Sequence, residues 1–211
     1  MKRFAIALSC ISLLFASLAW TQTSKDLDEK VKRARALYYD KQYPDALKMF
    51  DAVLAADGNN IEAQVGRLKT LKGMNNESAI TSFDQKRNKA ATPDNHVLTA
   101  QIKMMGRDFT GAEAILKQAV AQDQKAYMAH AMLGSIKKYQ KDYMGAAPHL
   151  LAAIAANKNY TEAYFDLGEV YFKTNNAASA AKYWRMYLDM VPRTGKRYKY
   201  VNDKLQKLGG N

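Results

Sequence analysis

The side chains best suited to chemistry in this sequence are its three histidines, His96, His130 and His149. A neutral imidazole accepts a proton near neutral pH and ligates transition metals, so each is a candidate general base or metal ligand. Chemistry would need them joined by carboxylates or cysteines at a working spacing. No HExxH, CxxC, glycine-rich phosphate loop or GxSxG occurs anywhere in the chain. The Asp28-Glu29 pair reads as exposed helix residues rather than an acid–base couple. The only cysteine, Cys10, lies in an apolar stretch near the N-terminus, so no thiolate chemistry is expected of the remainder. The expectation is a non-enzymatic protein with no cofactor and no metal.

His96 and His130 stand 34 residues apart, and that interval recurs throughout the chain. Asp108-Phe109-Thr110-Gly111-Ala112 is nearly repeated by Asp142-Tyr143-Met144-Gly145-Ala146 at the same distance. Ala112, Ala146 and Ala180 form one series; Leu116, Leu150 and Trp184 form a second, four residues on. Ala46, Phe50 and Val53 continue the pattern backwards. A period near 34 with apolar residues at helical spacing predicts stacked helix-turn-helix units. In each unit a small residue such as Gly168 lets two helices cross closely, and a large one such as Trp184 fills the adjoining volume. Asp108 and Asp142 suit N-caps of second helices, Pro44 suits a first turn, and Pro192 a helix end. Pro148 lies one turn into a helix and predicts a late start or a kink. By this register His96 and His130 occupy equivalent, half-buried packing positions, whereas His149 falls on an outer face.

These residues resemble the tetratricopeptide repeat. Residues 161–194 carry the resemblance best, through Tyr164, Leu167, Gly168, Tyr171, Ala180, Trp184 and Pro192. Units 127–160, 93–126 and 27–60 follow it, and 61–92 is the weakest and two residues short. The resemblance implies an all-α fold, an α-solenoid of about five helix-turn-helix repeats, closed by a basic capping helix over 195–211. In that cap Tyr198, Val201, Leu205 and Leu208 form the apolar stripe.

The resemblance also implies a concave groove lined by the first helices, and function by binding a protein or peptide. The groove set begins with Val31, Arg35, Tyr38 and Tyr39, then Val65, Lys69 and Lys72. Gln101 and Met104 follow, then Lys138 and Tyr139, and Phe165, Glu169 and Phe172 complete it. Apolar positions alternating with cations and tyrosines suit a partner segment with apolar and acidic residues. Cytosolic-chaperone-binding members hold a carboxylate with Lys and Asn one turn apart in the first unit; Val31 and Arg35 stand there instead.

Charge and the N-terminus set the remaining expectations. There are 32 basic and 20 acidic side chains, a net of +12. Met1-Lys2-Arg3, the apolar run Phe4–Trp20 and the small residues Ser17 and Ala19 read as an export leader over 1–19, followed by a linker over 20–26. The expected location is therefore exported, periplasmic or envelope-associated, which makes a nucleic-acid partner unexpected. Membrane contact, if any, would be peripheral. The alternative reading gives the basic cap an anion-binding patch of Arg193, Lys196, Arg197 and Lys199 for lipid headgroups or polysaccharide.

Overall fold

The computed structural model describes residues 24–87 and 89–209, so the expected leader over 1–19 lies outside the described residues. Residues 24–26, expected as linker, are already helical. The described part contains helices and turns only. They run α1 (24–39), α2 (Tyr43–Ala56), α3 (Ile61–Gly73), α4 (Glu77–Lys86), α5 (Pro93–Met105) and α6 (Phe109–Gln122), then α7 (Tyr127–Tyr139), α8 (Tyr143–Ala156), α9 (Thr161–Lys173), α10 (Ala177–Met190) and α11 (Lys196–Gly209). Consecutive helices pair as antiparallel hairpins and stack in order, which is an all-α solenoid of the expected kind.

Every hairpin turn is built the same way. Lys41, Asn75, Arg107, Lys141 and Asn175 each take a positive φ, between 54° and 64°. The amide after each one bonds back to the helix just ended, as Asp142 N does to Lys137 O at 2.9 Å and Asn176 N to Tyr171 O at 2.9 Å. This left-handed closure satisfies the orphan carbonyls of the first helix without a glycine. The next residue then caps the second helix: Asn76, Asp108, Asp142 and Asn176 accept from the backbone N–H three residues on. The Asp-aromatic-x-Gly-Ala repeats are thus the caps of α6 and α8. Gln42 makes no such bond, and Pro44 in the first turn of α2 supplies the start signal there.

Small residues place the second helix against the first. A Cβ on Gly168 would lie 2.2 Å from Trp184 Cδ1, and one on Gly134 would lie 2.6 Å from Leu150 Cγ. Trp184 and Leu150 are fully buried by that close approach, so truncating Trp184 would cost about 3–5 kcal/mol. The second hairpin is the thin one. Helix α4 spans 10 residues against 14 in α2, α6, α8 and α10, and Ile80 is its one buried residue. Two expectations are corrected. Helix α8 begins at Tyr143 and continues through Pro148, with no late start. His149 is half-buried, because its Nδ1 meets His130 Nδ1 at 3.4 Å between α7 and α8; burial first, and then His130, hold its pKa below the usual value.

Helix α11 closes the stack. Val201 is fully buried in the last core cluster with Trp184 and Tyr187, and Leu205 and Leu208 pack against it. Its N-terminus reaches back to the first hairpin, where Asp40 accepts from Lys196 N at 2.7 Å. The first and last elements of the solenoid therefore meet.

Candidate partner-binding site

The first helices α1, α3, α5, α7 and α9 line the concave face, and its base is filled by the protein's own charges. Arg35 on α1 ion-pairs with Glu62 on α3 and, at 2.6 Å, with Glu162 on α9; its guanidinium lies 4.9 Å from the centre of the Tyr160 ring. Tyr127 donates to Glu62 at 2.7 Å and Tyr39 to Glu162 at 3.3 Å. Arg197, from α11, is held between Tyr39 and Phe165 with 3.6 Å to each ring centre, and pairs with Glu162 at 3.6 Å. Beside it Asp166 takes Lys138 at 2.5 Å and Ser135 at 2.6 Å.

The electrostatics follow from burial working against pairing. Burial alone would raise the Glu162 carboxyl, but Arg35 and Arg197 outweigh it and hold it below its ordinary range. Asp166 is likewise held down, with Lys138 and Arg197 overcoming burial. Burial pushes the Tyr127 hydroxyl up to about 12 and Tyr39 upward as well. At neutral pH the base is a closed lattice of alternating charges capped by neutral phenols.

The sequence-predicted groove residues divide into four groups, with Tyr139 apart from them. Val31 and Val65, 2% and 3% exposed, are core residues: neighbouring first helices lie side by side, and these positions face the seam rather than the groove. Arg35, Lys138 and Phe165 belong to the filled base. Glu169 and Phe172 lie under α11, where Tyr200 donates to Glu169 at 2.8 Å and Lys204 sits 4.6 Å from the Phe172 ring. Six residues, Tyr38, Tyr39, Lys69, Lys72, Gln101 and Met104, line one open pocket with Gly73, Met105 and Phe109 at the C-terminal ends of α1, α3 and α5. Tyr139 stands outside it, 67% exposed and stacked on Phe109 at 4.7 Å.

The expected anion-binding patch is corrected in one residue. Arg193, Lys196 and Lys199 surround an open depression with Asp40, but Arg197 is turned inward. Its neighbours Tyr39, Phe165 and Glu162 offer it two ring faces and a carboxylate. The base has no sequence signal beyond the acids and aromatics on α9, since its pairs join residues as far apart as Arg35 and Thr161, 126 positions on. Among the described residues no helix is long and apolar enough to cross a membrane.

Comparison with known proteins agrees with this geometry. The crystal structure of PilW, a widely conserved type IV pilus biogenesis factor, superposes with a TM-score of 0.56 at 20% identity, over 86% of this chain and 85% of that one. TTC0263, a tetratricopeptide repeat protein of Thermus thermophilus, gives 0.55 at 16% identity, over 85% of this chain and 99% of that one. Such identities speak for the fold. No curated protein sequence matches the chain. Residues 132–193 match the tetratricopeptide repeat family model, and helical hairpins of similar construction run from residue 24 onward, so the chain carries tetratricopeptide repeats over the matched segment within a solenoid of that fold.

Proposed function

We propose that this protein is a non-enzymatic protein-binding scaffold that holds a segment of a partner in the open mouth between the C-terminal ends of α1, α3 and α5. The observation that carries the reading is the contrast within the concave face: the base is occupied by the chain's own ion pairs, and the mouth remains open. Tyr38, Tyr39, Met104, Met105 and Phe109 give the mouth apolar and aromatic surface, with Lys69, Lys72 and Gln101 as its polar groups. That composition suits an extended or helical peptide with apolar anchors. The leader-like residues 1–19 support a place outside the cytoplasm, periplasmic or envelope-associated, and N-terminal sequencing of the protein recovered from cell fractions checks it.

Site-directed photocrosslinking tests the mouth. A crosslinker at Met104 or Lys72 should join the protein to a discrete partner in its native cells. The same group at Gln118, exposed on the second helix α6, should not. Equal labelling from both faces, or labelling from Gln118 alone, rejects the mouth as the site.

A further inference from the structure

Arg35, Lys69, Gln101, Ser135 and Glu169 occupy the same place on the five successive first helices, spaced 34, 32, 34 and 34 residues apart. Three of the five are satisfied within the chain. Arg35 pairs with Glu62 and Glu162, Ser135 donates to Asp166, and Glu169 accepts from Tyr200. The second and third are not. Among the described residues no hydrogen bond or ion pair reaches the Lys69 ammonium; the Gln101 Oε1 is buried without a donor, in a residue only 4% exposed. Both side chains line the open mouth.

The charges of the concave face point the same way. Arg35, Lys69, Lys138 and Arg197 stand against Glu62, Glu162 and Asp166, and each of those carboxylates is already paired with one of the other three cations. Lys69 is the cation left over. Burial lowers its pKa, and the nearest compensation, Glu162, is engaged by both arginines. A part-buried ammonium and a buried amide oxygen without partners are costly arrangements that a bound group would relieve.

We propose that Lys69 and Gln101 are the specificity pair of the mouth, reading an aspartate or glutamate in the partner segment: its carboxylate meets Lys69 Nζ and a neighbouring backbone N–H donates to Gln101 Oε1. An aliphatic residue beside the acid lies on Met104, Met105 and Phe109. A carboxylate fits better than a phosphate, because the mouth offers one uncompensated cation while both nearby arginines are committed. This inference rests on the mouth being the peptide site.

The experiment is selection of a randomised ten-residue peptide library on the full chain, with affinities of the enriched peptides read by fluorescence anisotropy. Asp or Glu should be enriched beside Leu, Ile or Met. Exchanging that acid for its amide should weaken binding about ten-fold, which is about 1.4 kcal/mol. On K69M the acid and amide peptides should bind alike, while circular dichroism shows the fold intact; Gln101→Leu should weaken both peptides. Enrichment without an acid, or an acid preference that survives K69M, overturns the pair and leaves the mouth standing. No enrichment at all, or peptides indifferent to K69M, Q101L and M104D together, overturns the mouth as well.

Discussion

The base and the mouth of the concave face are made from the same repeat positions and end up opposite in character. At the base, positions from α1, α9 and α11 meet because the stack closes on itself, and every carboxylate finds a cation. At the mouth, the same positions on α3 and α5 line an open pocket, and among the described residues Lys69 and Gln101 Oε1 stay unpaired. Closure, rather than local sequence, decides whether an inward-facing polar residue is structural or available.

Removing the hub of the base should have the largest effect. Arg35→Met leaves the part-buried Glu62 and Glu162 without their main partner, a loss of up to about 3 kcal/mol, the low end for a broken buried pair, seen as a fall in chemical-denaturation midpoint. Replacing Arg35, Glu62 and Glu162 together by Met should recover much of that loss, since apolar side chains of similar volume often serve as well as buried ions. If the triple variant is no better than Arg35→Met, the network itself, and not only its charge balance, sustains the base.

Arg197→Ala comes next, at about 2–3 kcal/mol, from the loss of two ring faces and one carboxylate. It also unseats the N-terminal end of α11, so protection of the Lys196–Tyr200 amides against hydrogen exchange should fall while α3–α6 keep theirs. Uniform loss of protection would mean that the cap and the first hairpin are not locally coupled.

Acid should act on the base before the mouth. The folded-state pKa values of Glu162 and Asp166 are depressed, with cations overcoming burial, so their contribution is present above the ordinary carboxylate range. It declines as pH falls through the unfolded values near 4.5 and 3.8 and is gone below the depressed folded values. Denaturation midpoints should drop over that interval, and the drop should shrink in the triple Met variant, which lacks Glu162. An undiminished drop would assign the acid sensitivity elsewhere.

What can be read from the sequence follows the range of the interactions. Each hairpin is a local object: the Asp108 and Asp142 caps, the Gly168–Trp184 crossing and the alanine series act within one period, and periodicity displays them. The left-handed closures at Lys41, Arg107 and Lys141 are not legible, because a lysine or arginine carries none of glycine's signal for a positive φ. The base is hidden for a different reason. Its pairs join α1 to α9 and α11, and no spacing announces that Arg197, on a helix rich in surface cations, will be enclosed by Tyr39 and Phe165. Sequence alone puts Val31 and Val65 in the groove because a helical wheel cannot separate a residue facing the groove from one facing the neighbouring hairpin, a turn of the helix by about one position.

Lys69→Met gives the smallest expected change in stability and the sharpest test of the comparison, because its sign should be opposite to that of Arg35→Met. The folded state lowers the pKa of Lys69, with burial the main cause, so holding the ammonium charged works against folding at neutral pH. Methionine keeps the length of the stem and removes the charge, so the unfolding free energy should hold or rise by up to about 1 kcal/mol. The sign has a pH signature. Wild type loses the penalty as pH rises through the lowered folded value toward 10.5, so the advantage of the Met variant should shrink across that alkaline interval. A destabilised Lys69→Met would show that the ammonium already serves the base, and the division between a satisfied base and an unsatisfied mouth would have to be redrawn at α3.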